Sequence, residues 1–371
     1  MTLIEEPRPD NLVLSPVKQS GLAEQMKRGL DAPICLTWEL TYACNLQCVH
    51  CLSSSGRRDP RELTTEECEA VIDELQRMQV FWHLVRYAVD HGVGVKFSTN
   101  GSGIDAEVAE QLAESDYVDV QISIDGADAD TNDHVRGAGS FATAVQAMEH
   151  LQAAGFEGFK ISVVMTRHNI PQVDEFKAMA DHYGAQLRLT RFRPSGRGAD
   201  SWEALHPTDQ QQRELYHWLM DHPDVLTGDS FFHLSALGEA LPGLNLCGAG
   251  RVVCLIDPVG DVYACPFVLH DEFLAGSVRD DGGFQKVWQE SDLFTELREP
   301  QSAGACASCG HFDACQGGCM AAKFFTGIPL DGPDPECVLG HGEEAMDSVA
   351  RAAVSKDHSR TTVVLGRKPV S

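Results

Sequence analysis

No stretch of this 371-residue chain is apolar over the ~18 residues that a bilayer-spanning helix needs. Basic residues are also scarce: 29 Lys and Arg face 55 Asp and Glu, a formal charge of −26 at pH 7. Phosphate backbones and anionic lipid would be repelled, so neither a nucleic-acid partner nor a membrane partner is expected. The Met1–Asp10 segment is acidic and contains proline, unlike a secretory signal, and a cytoplasmic location is expected. Nucleotide signatures are missing too. Gly92-Val-Gly94 and Gly248-Ala-Gly250 lack a third glycine, and there is no P-loop lysine, nucleophile elbow or paired-carboxylate pattern. Internal repeats and low-complexity tracts are absent. With 43% hydrophobic and 23% charged residues, the composition excludes wholesale disorder, and the length allows two domains or a barrel with an appendage.

Cysteine is absent where a disulfide scaffold would need it. Of the 13 cysteines, five lie between Cys35 and Cys68, eight between Cys247 and Cys337, and none in between. Two local metal sites explain this better than disulfides scattered through a fold.

Apolar, β-branched runs predict strands at Ile34–Leu40, Val93–Ser98, Val118–Ile124, Phe159–Met165 and Leu187–Phe192. Helical patterns fall at Thr64–Met78, Ala106–Glu114, Ser140–Ala154, Gln172–His182 and Thr208–Met220, with a Thr64/Glu67 capping box opening the first. Such alternation implies βα units in a parallel sheet, with a site at the C-terminal strand ends. One interval breaks the rhythm. From Thr64 to His91 there is neither Gly nor Pro, and a second helical pattern, Phe81–His91, follows the first with no strand between them. A strand and its loop are missing at the Val80–Phe81 junction. Beyond Pro207 the periodicity weakens, with short strands at Val252–Ile256 and Val262–Ala264. The reading is an N-terminal extension (1–33), an α/β domain (34–231), a small Cys-rich domain (232–342) and a loosely ordered tail (343–371).

The first predicted strand runs into Cys44-x3-Cys48-x2-Cys51. Three thiolates so close can hold three corners of a [4Fe–4S] cube and leave one iron open. His50 as a fourth ligand would instead make a zinc site; its place beside the last cysteine better suits a ring packed against a cofactor. Cys35 and Cys68 read as buried thiols. This pattern resembles the radical S-adenosylmethionine (SAM) enzymes. In that family the open iron chelates SAM, and its reductive cleavage yields a 5′-deoxyadenosyl radical that removes a hydrogen atom from substrate. The resemblance implies a partial (β/α)6 barrel with one strand missing. It also implies SAM contacts at Ser98 and Asn100, Ser123 and Asp125, Arg136 and His50, although turn and cap chemistry would account for any one of these alone.

Eight further cysteines suit two four-thiolate sites. Cys306-x2-Cys309-x5-Cys315-x3-Cys319 by itself also fits zinc. Beside a radical SAM motif it resembles the SPASM extension, which implies two auxiliary [4Fe–4S] clusters. That pattern implies Cys247, Cys254, Cys265 and Cys319 on one, and Cys306, Cys309, Cys315 and Cys337 on the other. Spacing does not decide which of Cys315 and Cys319 goes where.

Longer runs, including Leu36-Thr-Trp-Glu-Leu-Thr-Tyr-Ala-Cys44, Arg193-Pro-Ser-Gly-Arg-Gly198 and Cys319-Met-Ala-Ala-Lys-Phe-Phe-Thr-Gly327, resemble the mycofactocin radical SAM maturases. This implies a peptide substrate ending in Val-Tyr, oxidative decarboxylation of its terminal tyrosine, and a new carbon–carbon bond joining the two residues. A small peptide-binding chaperone and an external electron donor are implied as partners. The family's Gly-Gly-Glu-Pro-like loop, which contacts the SAM amino group, is absent. Two alternatives follow: another peptide-modifying SPASM enzyme (sulfatase-maturase-like or pyrroloquinoline-quinone-type), or a non-catalytic Fe–S protein. Arg191, Arg193 and Arg197 read either as carboxylate contacts or as a solvated sheet end.

Overall fold

The computed structural model describes residues 35–38, 48–49, 51, 56, 88–89, 94–227, 231–242, 246–299 and 302–348. Strand β1 (Cys35–Trp38) is followed by four parallel strands lying side by side in chain order. These are β2 (Val95–Thr99), β3 (Val118–Ile124), β4 (Lys160–Met165) and β5 (Gln186–Arg191). The crossovers carry helices α1 (Ala106–Ala113), α2 (Ala129–Arg136), α3 (Ser140–Ala153) and α4 (Val173–Tyr183); α5 (Gly198–Leu205) and α6 (Asp209–Asp221) follow β5.

Period-two alternation gives the sheet two unlike faces. Val120, Ile122, Ile161, Val163, Leu187 and Leu189 are buried in one core with Leu112 of α1, Met148 and Leu151 of α3 and Phe176 of α4. The intervening residues are polar and meet across the strands. Lys96 and Lys160 pair with Asp119 at 3.5 and 2.7 Å, the Ser98 and Ser123 hydroxyls lie 3.2 Å apart, and Arg188 donates to Ser162 at 3.4 Å. A parallel sheet normally has apolar cover on both faces. A polar second face is what a barrel lumen built around a polar substrate would present.

The helices begin where side chains can take up free backbone donors. Asp105 accepts from Val108 N–H at 2.9 Å, and Thr208 and Gln211 form a reciprocal capping box, each cap contributing roughly 0.5–2 kcal/mol. Helix α3 buries Ala144, Ala147, Met148 and Leu151, an i, i+3, i+4, i+7 stripe. Helix α2 lies in a stretch to which the sequence reading assigned no element. It buries only Asn132 and Val135, too little for a visible period, although its Asp128 cap was a legible start signal.

The Cys-rich part contains β6 (Val253–Ile256), β7 (Asp261–Tyr263), β8 (Leu274–Ser277), α7 (Gly283–Glu290), α8 (Asp292–Arg298), α9 (Met320–Thr326) and α10 (His341–Ser348). Helix α10 corrects the expectation of loose order from residue 343; residues 349–371 lie outside the described ones. Strand β1 belongs to this second sheet, parallel to β6 with Cys35 opposite Val253 and Leu36 opposite Cys254, in the order β1-β6-β7-β8. Among the described residues β1 makes no pair with β2.

Candidate active site

The first thiol loop docks on the segment after β5. Arg197 donates through Nε to Cys48 O (2.9 Å) and through its backbone N–H to Cys51 O (3.0 Å), and Ser201 Oγ donates to Val49 O (2.9 Å). Arg197 is therefore a strut for this loop and not part of a solvated sheet end. Cys48 and Cys51 are half-buried. Cys44, His50 and the Thr64–Met78 helix lie outside the described residues; of Phe81–His91 only residues 88–89 are described, as helix.

The remaining expected SAM contacts gather at the C-terminal ends of β2 and β3, but they are not equivalent. Ser98 and Ser123 present their paired hydroxyls on the polar face. Asn100 accepts from Ser102 N–H at 2.9 Å, an Asx turn ahead of α1. Gly101, at φ +90°, leaves no room for a Cβ, which would meet that of Ala147 at 2.9 Å. Asp125 is 1% exposed, with Oδ1 accepting from Val164 N–H at 2.9 Å and Oδ2 lying 2.6 Å from Arg136 Nε. Asp125 and Arg136 thus pair with each other and brace the turn on which Ser123 stands. Gly126 belongs to the same brace, since any Cβ there would collide with the backbone of α2 at Asn132.

Ten cysteines outside β1 are described, and eight of them form two groups. Cys306, Cys309, Cys315 and Cys337 line one small cavity with Phe312, Pro333 and Leu339. Cys247, Cys254, Cys265 and Cys319 are buried in one core with Tyr263, Phe273, Trp288 and Phe294. Cys247 and Cys265 act electrostatically on each other's side of the core and on Cys319, whereas Cys315 feels Cys306 and Cys337. The structure thereby separates Cys315 from Cys319, which spacing alone did not. Burial pushes the Cys315 thiol up to about 11 and raises Cys265 further. Cys319 differs: burial raises it, but Arg193 and Arg191 bring it below its ordinary value. Among the described residues no three His, Cys, Asp or Glu side chains converge as they would on a single ion. Four thiols walling an apolar space fit a larger inorganic cluster, as the SPASM pattern requires.

A buried ion cluster joins the two sheets. Arg191, at the end of β5, grips Asp334 with Nη1–Oδ2 2.7 Å and Nη2–Oδ1 2.6 Å, and its Nε reaches Glu336 Oε2 at 2.5 Å. Asp334 Oδ2 also accepts from Cys319 N–H at 2.8 Å. Arg191 is therefore buried in a clamp. Burial alone would raise the Asp334 carboxyl, but the Arg191 guanidinium holds it well below the usual carboxylate range. One guanidinium does not fully compensate two carboxylates, and burial together with Asp334 pushes Glu336 up to about 7. The chain of contacts continues from Glu336 Oε1 through Gln212 (3.4 Å) to His233 Nε2 (2.7 Å). Burial and the nearby arginines keep His233 neutral, with its value lowered to about 3. Asp334 and Glu336 were missed in the sequence, where two acids beside a cluster thiolate were the signal that a buried base must face them.

Glu336 makes stability pH-dependent. Its folded value lies above its unfolded one, so its contribution is complete below about pH 4.5 and is lost as pH rises through about 7. Thermal unfolding from pH 5 to 8.5 should therefore show the parent losing on the order of a few kcal/mol more than Glu336→Gln; parallel profiles would contradict this.

Comparison with known proteins gives the following. The profile of the radical SAM superfamily matches residues 80–180, starting at the broken junction, and that of the SPASM iron–sulfur cluster-binding domain matches 247–310. The mycofactocin maturase MftC of Mycolicibacterium smegmatis is 69% identical over 360 residues, covering 92% of each chain. That of Mycobacterium ulcerans is 66% identical, covering 91% of this chain and 97% of its own. Against the M. smegmatis protein, 360 aligned positions compared with 92% of 371 residues, about 341, leave roughly 19 positions with no residue here. An AdoMet-dependent heme synthase of Methanosarcina barkeri is 29% identical, covering 85% and 99%. Among solved structures, Streptococcus suis SuiB bound to S-adenosylmethionine superposes with TM-score 0.64 at 17% identity, covering 86% of this chain and 80% of its own. SuiB bound to precursor peptide SuiA gives 0.64 at 16%, covering 91% and 84%.

Proposed function

Because the chain belongs to the mycofactocin maturase family of radical SAM enzymes, we propose that it oxidatively decarboxylates the C-terminal tyrosine of a precursor peptide ending in Val-Tyr and then joins the two residues by a carbon–carbon bond. A small chaperone delivers the peptide, and an external donor supplies electrons. Residues 34–231 form the SAM domain and 232–342 the cluster domain, flanked by an N-terminal extension and by a tail beyond α10. Cys44, Cys48 and Cys51 hold the cluster with an open iron; the two four-thiol groups hold the auxiliary clusters. When bound, SAM and the reduced first cluster supply the radical that takes a hydrogen atom from the peptide.

The chain's own residues position this chemistry. Arg197 and Ser201 fix the thiol loop, the Ser98 and Ser123 hydroxyls offer hydrogen bonds at the strand ends, and Lys96, Asp119, Gln121 and Lys160 line the polar face beneath. The observation that carries the reading is the Arg191–Asp334 clamp. It ties the end of β5 to the backbone of Cys319, which keeps an electron-accepting site close to where the peptide would react. The test is mass analysis of a Val-Tyr-terminated peptide incubated anaerobically with SAM, reductant and this chain carrying a restored strand. Loss of CO2 is expected; an unchanged peptide beside active SAM cleavage would point to another substrate. The absence of a Gly-Gly-Glu-Pro-like loop from the sequence favours a second reading, a non-catalytic Fe–S protein, for the chain as it stands.

A further inference from the structure

Among the described residues, two buried arginines have no carboxylate partner, and both sit beside the same thiol group. Arg193 is 6% exposed; its Nε donates to Cys319 Sγ at 3.3 Å, its Nη1 donates to Arg191 O at 3.4 Å, and its guanidinium lies 3.8 Å from the centre of the Phe267 ring. Arg251 is 4% exposed; its Nη1 donates to Cys247 O at 3.0 Å, and its Nε and Nη2 have no hydrogen-bond partner. Neither forms an ion pair among the described residues, in contrast to Arg191 with its two carboxylates. An uncompensated buried guanidinium is costly, and its presence implies an anion that neutralises it.

The other thiol group is different. Its cavity is lined by Asp334 and the neutral His233, and the nearby Lys323 spends its ammonium on Leu330 O and Gly332 O at 2.5 and 3.3 Å. A four-thiolate [4Fe–4S] site carries net negative charge and gains one more on reduction. Cations and N–H···S bonds at its edge therefore favour the reduced form.

We infer that Arg193 and Arg251 are positioning residues that raise the reduction potential of the cluster held by Cys247, Cys254, Cys265 and Cys319, with Arg193 acting directly on the Cys319 sulfur. This rests on the cluster assignment made under the proposed function. The event is the uptake of one electron by that cluster; no bond is made or broken and no proton moves.

The test is an anaerobic redox titration of the fully reconstituted chain with dithionite as the electron source, followed by electron paramagnetic resonance. Iron analysis comes first: about twelve iron atoms per chain support the cluster assignment, and zinc in place of iron removes it. In loaded protein, Arg193→Gln should move one transition to more negative potential, Arg193→Lys should move it less, and Arg251→Gln should move the same transition in the same direction. A Cys309→Ala chain, which lacks the other auxiliary cluster, should retain that transition. An unmoved transition in iron-replete Arg193→Gln overturns the inference. So does a shift confined to the signal that Cys309→Ala removes, or loss of iron from both arginine variants, which would make the two guanidiniums structural supports.

Discussion

Inserting a strand and its loops between Val80 and Phe81 is expected to raise SAM cleavage, measured as 5′-deoxyadenosine released under reductant, by about a hundredfold or more. Three observations converge on that junction, and a fourth gives the size of the difference. The sequence runs from Thr64 to His91 without a glycine or proline to end a helix. Strands β1 and β2 belong to separate sheets among the described residues. The superfamily profile begins at residue 80, and the M. smegmatis relative carries roughly 19 aligned positions that this chain lacks. A strand of ~5 residues with its loops accounts for most of these. The cluster thiols remain, so iron should load in both versions while SAM is held in reacting geometry only in the restored one. Equal rates would show that the missing segment has no part in SAM binding.

The second large effect is expected at Asp334. Replacing it with Ala removes both hydrogen bonds to Nη1 and Nη2 of Arg191 and the acceptor for Cys319 N–H, and leaves a guanidinium buried at the end of β5. Breaking a buried pair from one side costs roughly 3–5 kcal/mol. Thermal unfolding should shift down by on the order of ten degrees. Iron bound at the Cys319 site should fall as well, because the amide that orients this cysteine loses its anchor. Arg191→Met combined with Asp334→Leu and Glu336→Gln should recover much of the loss, since Glu336 also pairs with Arg191 and the triple variant leaves no unpaired charge. A triple variant as unstable as Asp334→Ala would mean that the clamp acts through shape alone. Gly318 is part of the arrangement, because a Cβ there would collide with the Asp334 carboxylate.

What the sequence disclosed divides along physical lines. The strands β3, β4 and β5 were legible because their buried faces repeat every second residue, and α3 because its apolar stripe is four residues deep. The cysteine groups were legible because ligand spacing is local. Three things were not. Helix α2 has too small a buried face to show a period. The partner of β1 is over two hundred residues away, a pairing that no local pattern encodes. The Arg191–Asp334–Glu336 clamp likewise joins residues more than 140 positions apart, so the arginines after β5 read equally well as a solvated end.

Among the described residues β1 pairs only with β6 and β2 only with β3. A strand supplied in trans, as a free peptide of the missing sequence, would complete the protein without a change to its gene.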